Sequence, residues 1–194
     1  MFYKLEHTIF HWYLGLVLKI FVFFLIIICF SCKNETKVSN YTTELNELRE
    51  INDELIKSNP EDIASIYQLG VKIKNTSLNL YVRYNKFFSD EENEFLLKCA
   101  ATGSEASQKY NDAADYFLKV QRKFPNSENA PIYLHNRARI LDNILNEKNN
   151  ASLAFDELIE LYPNHVLSIN AKIYLDNIFG KTDEELLNII KSKN

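Results

Sequence analysis

The sequence predicts an all-α chain, an α-α superhelix in which about three helix pairs stack as a solenoid and C-terminal helices cap the end. Three observations carry that expectation. Gly and Pro number only 4 each in 194 residues, whereas a sandwich of short strands spends such residues on a turn about every 8–12 positions. Apolar residues make up 46% of the chain and charged residues 25%, a balance that builds a core and lies outside the disordered range. Two stretches also repeat one another at an offset of 38 residues. The formal net charge of −4 and the pI near 5.6 give no reason to expect a nucleic-acid partner.

The first 31 residues differ from the rest. From Phe10 to Cys32 the only charged side chain is Lys19, and Ile20 to Phe30 carries none. A charge, then roughly 7–15 apolar residues, then a small residue at a cleavage point make a secretory signal. Here the small residue is Ser31 and Cys32 follows it, so Cys29-Phe30-Ser31-Cys32 resembles a lipobox, with Cys29 and Phe30 in place of the usual Leu and small residue. The resemblance implies a signal peptide over 1–31, acylation of Cys32, and a tether over 32–42 that is polar and Asn-rich from Lys33 to Asn40. A start at position 18 would shorten the leader to a compact signal headed by Lys19. The alternative is an uncleaved anchor, because the apolar stretch from Phe10 reaches the roughly 20 residues a bilayer helix requires. Cleavage removes Lys4, Lys19 and Glu6, leaving 20 basic and 25 acidic residues.

Within the mature part, Leu45, Leu48, Ile51 and Leu55 form an amphipathic stripe that stops by Pro60. The same four residues offer a short coiled-coil seam to a second copy, over about two heptads. The repeated stretches come next. Ala113, Phe117, Val120, Phe124 and Pro125 recur as Ala151, Phe155, Leu158, Tyr162 and Pro163. Offsets of 0, +4, +7 and +11 share one helical face, and Pro stops the helix because it lacks an N–H and clashes with the preceding turn. This spacing resembles the second helix of a tetratricopeptide (TPR) repeat, in which the small residue lets paired helices approach and the aromatic fills the gap to the next pair. Leu80, Tyr84 and Phe87 keep the 0, +4, +7 spacing without the Pro. Ile66, Leu69, Gly70 and Ile73 resemble the first-helix pattern, with Gly70 at a close approach.

The first helices of later pairs follow. Glu92 to Ser107 carries Phe95, Leu96, Cys99 and Ala100, opened by a Ser89–Glu92 capping box. Ala130 to Asn146 carries Ile132, Leu134, Ala138, Leu141 and Leu145, about one turn more than a standard repeat allows, which accounts for the 38-residue offset. Val166 to Phe179 carries Ile169, Ala171, Ile173, Leu175 and Ile178, and Gly180 suits the position past a helix end. Thr182 to Glu185 caps a last helix with Leu186, Leu187, Ile189 and Ile190. The repeat domain thus runs over 43–179 and a C-terminal capping helix over 180–194, whose charged Lys191 to Lys193 end supplies the polar outer face a terminal repeat needs.

The whole tail, from about residue 75 onward, is similar to envelope TPR lipoproteins of Gram-negative bacteria, of the β-barrel assembly lipoprotein family (the BamD type). That resemblance implies a scaffold at the outer membrane, facing the periplasm, that binds envelope proteins or peptides. Roughly three repeats stand where five are usual for the family. The TPR register implies a binding surface on the first helices at Lys98, Thr102, Asn136 and Arg139, with Asn143 one turn further. Arg139 is the leading candidate, because a guanidinium grips a carboxylate bidentately.

Chemistry is sparse. The chain has no G-x-G-x-x-G, P-loop, H-E-x-x-H or G-x-S-x-G, the motifs that cradle phosphates or assemble a metal or nucleophile. Cys29-x-x-Cys32 has redox spacing but lies in an apolar run, and Cys99 reads as a small core residue. His7 and His11 sit in the leader without a carboxylate ligand, and His135 and His165 are each alone. Asp90-Glu91-Glu92 and Asp183-Glu184-Glu185 complement helix N-termini. The expectation is a non-enzymatic protein without metal, cofactor or small-molecule substrate.

Overall fold

The computed structural model of the chain describes residues 41–192, which contain eight helices and no strand. They are α1 over 41–57, α2 (Ile63–Tyr84), α3 (Asp90–Ala106), α4 (Tyr110–Lys123), α5 (Ala130–Asn143), α6 (Lys148–Leu161), α7 (Val166–Asn177) and α8 (Asp183–Ser192). The chain divides into two compact units, Met1–Asn46 and Glu47–Asn194. The described part of the first is helical over 41–46, so residues 41 and 42, expected in the tether, already belong to a helix.

The second unit is an all-α helical repeat. From α2 to α7 each helix packs on the next, and α5 also packs on α7. Contact restricted to near neighbours is the packing logic of a solenoid. The 38-residue offset comprises two 14-residue helices, α4 and α5, with turns over 124–129 and 144–147.

Local chemistry sets the boundaries. Ser58 Oγ donates to the Leu55 carbonyl at 2.7 Å as α1 ends. Asp62 caps α2 by accepting from the Ser65 amide at 3.0 Å. Ser89 and Glu92 form the expected capping box, with bonds of 3.1 and 2.9 Å. Asn93, buried in the next turn, donates its amide to the carbonyls of Asn85, Phe88 and Ser89 and so ties the α2–α3 turn together. The helices α4 and α6 each end two residues before their Pro. Thr182 and Glu185 cap α8 reciprocally, and the two Thr182 bonds to the Glu185 carboxylate hold it below the usual carboxylate range.

Ala113, Phe117, Ala151 and Phe155 are buried, whereas Pro125 and Pro163 are exposed at helix ends. Tyr162 donates its hydroxyl to the Pro125 carbonyl at 2.9 Å and accepts from Gln121 Nε2 at 3.0 Å, which links one copy of the motif to the next. On the first-helix side, Glu94 Oε1 of α3 accepts from Ser127 at 2.5 Å and from the Tyr133 hydroxyl at 2.7 Å, which fastens α5 to α3. Burial together with this carboxylate raises the Tyr133 pKa far above the ordinary phenol range.

Several expectations need correction. Ile66–Ile73 and Leu80–Tyr84 do not form two helices; they lie on one 22-residue helix, α2, whose buried stripe is Leu69, Gly70, Ile73, Ser77 and Leu80. Phe87 is 63% exposed, and its neighbour Phe88 is buried instead. The helix α5 is no longer than α4 or α6. It stops because Asn146 enters the left-handed region at φ 55° and the Glu147 amide turns back to the Leu141 carbonyl at 2.7 Å. Ile132, Ile169, Ile173 and Ile178 are exposed, and α7 buries Ser168 and Ala171 instead. Of the stripe offered to a second copy, Leu45 and Leu48 are fully buried and Ile51 and Leu55 are half-buried.

Gly70 is the expected close-approach point, and Gly103 of α3 meets it. A Cβ at Gly70 would stand 2.7 Å from the Ala106 Cβ and the Ser107 amide nitrogen; one at Gly103 would stand 2.7 Å from the Lys74 amide nitrogen and 2.8 Å from the Gly70 carbonyl. The two backbones therefore touch, and neither position has room for a side chain.

Candidate functional site

Helices α3 and α5 carry the residues that the sequence reading singled out. An open cavity of about 320 Å³ lies between α5 and α7. His135, Arg139, Asp142 and Asn143 line it from α5, Asn170 and Tyr174 from α7, and Phe155 of α6 borders it. A second open cavity, about 370 Å³, is lined by Leu55, Ile56, Pro60 and Ile66 and by Thr102 and Glu105 of α3. The guanidinium of Arg139 pairs with the Glu105 carboxylate. One residue of that pair lines each cavity, so the ion pair links the two linings.

Charge in the first cavity is organised. Asp142 is almost wholly buried and is satisfied twice: Lys148 Nζ reaches Oδ1 at 2.5 Å, and the Tyr174 hydroxyl donates to Oδ2 at 2.5 Å. Burial and this carboxylate push the Tyr174 pKa up to about 12. Burial lowers the His135 pKa and the neighbouring Arg139 lowers it further, against a bond from Asn136, so the ring is neutral near pH 7. What remains for a ligand is an apolar floor at Phe155, the amides of Asn143 and Asn170, and a guanidinium held by an internal carboxylate. Such a surface offers hydrogen bonds and shape.

Of the predicted residues, Arg139 and Asn143 share the first cavity and Thr102 lines the second. The Thr102 hydroxyl is spent on the Lys98 carbonyl at 3.1 Å. Lys98 lies over the Phe95 ring at 5.4 Å. Asn136 bonds the His135 ring. Arg139 was expected to grip a partner's carboxylate, and the structure gives it Glu105 of the preceding first helix. Sequence reasoning missed Glu105, Asp142, Asn170 and Tyr174, which meet only through tertiary register; the i, i+4 pair Asn170–Tyr174 on one helix face was the available signal.

Cys99 is buried beside Asn52, whose carboxamide oxygen lies 3.7 Å from Sγ. Burial pushes its thiol pKa up to about 12, which makes it inert as a nucleophile at neutral pH. Among the described residues no group of His, Cys, Asp or Glu could hold a metal ion, and no helix is long and apolar enough to cross a membrane. Cys32, the leader with its alternative anchor, His7, His11 and Cys29 lie outside the described residues. Comparison with family models, curated proteins and solved structures finds no match.

Proposed function

We propose that the chain is a lipid-anchored TPR-type adaptor of the bacterial cell envelope, held by an acylated Cys32 at the outer membrane and facing the periplasm. It docks a protein or peptide on its first helices. The observation that supports the reading is a pair of open cavities whose linings are linked by the Arg139–Glu105 ion pair; an extended segment bound there would find the amides of Asn143 and Asn170 for its backbone. The sequence resemblance puts outer-membrane β-barrel assembly proteins first among the partners.

Two measurements test this. Photo-crosslinkers at Asn143 and Asn170 should capture an envelope protein in cells, and capture should fall at least tenfold in Arg139→Ala/Asn136→Ala; undiminished capture removes the groove from the mechanism. Palmitate labelling should depend on Cys32, and labelling that persists in Cys32→Ala would falsify the anchor. A second reading, self-association, is favoured by the exposed apolar run Val166, Ile169 and Ile173 on α7. Sedimentation at rising concentration separates the two, because an adaptor keeps its monomer mass.

A further inference from the structure

Lys119 and Lys123 of α4 turn toward one residue of α2. Their Nζ atoms stand 5.6 and 4.8 Å from the ring centroid of Tyr81, and Lys123 Nζ donates to the Tyr81 hydroxyl at 2.6 Å. The two lysines are one helical turn apart and so belong to one face of α4. Tyr81 is half-buried and packs against the core, as does Phe124, whose ring lies 5.5 Å from Lys123 Nζ. The phenol is thus a fixed platform that sets where the two charges meet.

The carboxylates of these two helices are engaged elsewhere. None of the 22 residues of α2 is acidic. Asp112 and Asp115 lie in the first half of α4; Asp112 pairs with Lys74, and Asp115 acts with Glu157 and Glu147 on Arg137. Among the described residues neither lysine pairs with a carboxylate. The negative end of α4 favours cations in its last turn, which accounts for their sign. It does not account for their convergence. Like charges repel, and a neutral ring attracts each ammonium without cancelling either.

The hydrogen-bond valences point the same way. Lys119 has no hydrogen-bond partner among the described residues, and Lys123 spends one N–H on Tyr81. The Tyr81 hydroxyl accepts that bond and keeps its own proton to donate. Two positive charges and an O–H gathered at one phenol suit a doubly charged acceptor with several oxygens. A phosphate group with one ester bond or none carries nearly two charges near neutral pH and has at least three strong acceptor oxygens; a carboxylate or a phosphodiester brings a single charge. We propose that Lys119, Lys123 and the Tyr81 hydroxyl bind a phosphate dianion, either inorganic phosphate or the end group of a phosphate monoester. None of the three residues lines either cavity, and the site does not depend on the adaptor reading.

The test titrates the full chain with inorganic phosphate and with glycerol phosphate, followed by phosphorus NMR. Both should saturate within about 20 mM. Tighter binding of glycerol phosphate assigns the site to a monoester, and equal binding assigns it to the phosphate group alone. Affinity for both should fall about tenfold in Lys119→Met/Lys123→Met and about threefold in Tyr81→Phe, with circular dichroism confirming unchanged helix content. Lys57→Met/Lys72→Met removes two exposed lysines elsewhere and should leave the affinity unchanged. Dimethyl phosphate and acetate, each with one charge, should bind at least about fivefold more weakly. Failure of both phosphates to saturate overturns the proposal. So does an equal loss in the two double-lysine variants, which would make net charge the cause, or binding of dimethyl phosphate or acetate as tight as that of phosphate.

Discussion

Phe117 and Phe155 hold the same position in two copies of one motif and end in different surroundings. Phe117 is 1% exposed and stacks on Tyr133 with the ring centroids 6.4 Å apart. Phe155 meets Tyr174 at 5.5 Å, turns its edge toward Phe179 and His135, and borders the α5–α7 cavity. The motif fixes the helix and the small-against-large fit inside a pair. The next element along the stack decides whether the aromatic becomes core or cavity wall. After α4 comes a whole pair, α5 and α6; after α6 comes α7, which keeps Val166, Ile169 and Ile173 in water. The packing around α7 is thus left partly open, and the first cavity lies there.

The largest expected effect tests this contrast directly. Phe117→Ala should cost about 4–5 kcal/mol in urea unfolding and Phe155→Ala about 3, because the second ring already borders open volume. Equal losses would break the comparison. Next is the glycine contact upstream. Gly103→Ala gains up to about 1 kcal/mol of helix propensity but drives a methyl against the Lys74 amide and the Gly70 carbonyl, which are backbone and cannot swing aside. A net loss of about 1–3 kcal/mol is expected. A stabilised variant would show that α2 and α3 separate at little cost, and that the tight and open ends of the stack differ less than their geometry suggests.

The cavity's own polar pair gives a smaller effect with a pH signature. Tyr174→Phe removes one of two bonds to the buried Asp142 carboxylate and should cost about 1 kcal/mol at pH 7, since Lys148 remains. The Tyr174 pKa in the folded chain, about 12, lies above the ordinary phenol value of about 10. The folded state therefore holds the phenol proton more tightly than the unfolded state. The stabilisation is complete below pH 10 and is lost as pH rises from 10 to 12. Unfolding midpoints measured across that window should fall more steeply in the wild type than in Tyr174→Phe, and parallel curves would detach Tyr174 from Asp142.

Much of the fold was legible because the motif is local. Ala, aromatic, aliphatic and Pro at helical spacing mark α4 and α6 and their stops, and the Ser89–Glu92 and Thr182–Glu185 boxes mark two N-termini through bonds spanning three residues. The misreadings share a cause. Leu80 and Tyr84 reproduce the motif's spacing by falling on the last turns of α2, with Phe87 on the turn after it, and Leu145 extends the apolar period of α5 beyond the helix's end at Asn143. Periodicity registers a face and is silent on whether the backbone continues. The site was legible only by half. Arg139 and Asn143 follow from repeat register, but Glu105 reaches Arg139 and Tyr174 reaches Asp142 across 34 and 32 residues. No spacing rule encodes those pairs; the stacking of successive first helices creates them.

The smallest effect sharpens what an open end means. Ile169 and Ile173 are 53% and 55% exposed, so Ile169→Asn/Ile173→Asn removes apolar surface that folding has only half withdrawn from water. In dilute solution the double variant should unfold within about 0.5 kcal/mol of wild type per site. By contrast, Ala171→Leu on the buried face of the same helix forces three heavy atoms into a site 3% exposed and should cost about 1–3 kcal/mol. Concentration then separates two kinds of open end. If a second copy covers α7, the wild-type midpoint rises with protein concentration and the double variant's stays fixed, because mass action stabilises only the associating chain. If α7 stays uncovered in solution, the two midpoints keep their small separation at every concentration, and the cavity beside it is open to a partner of another kind.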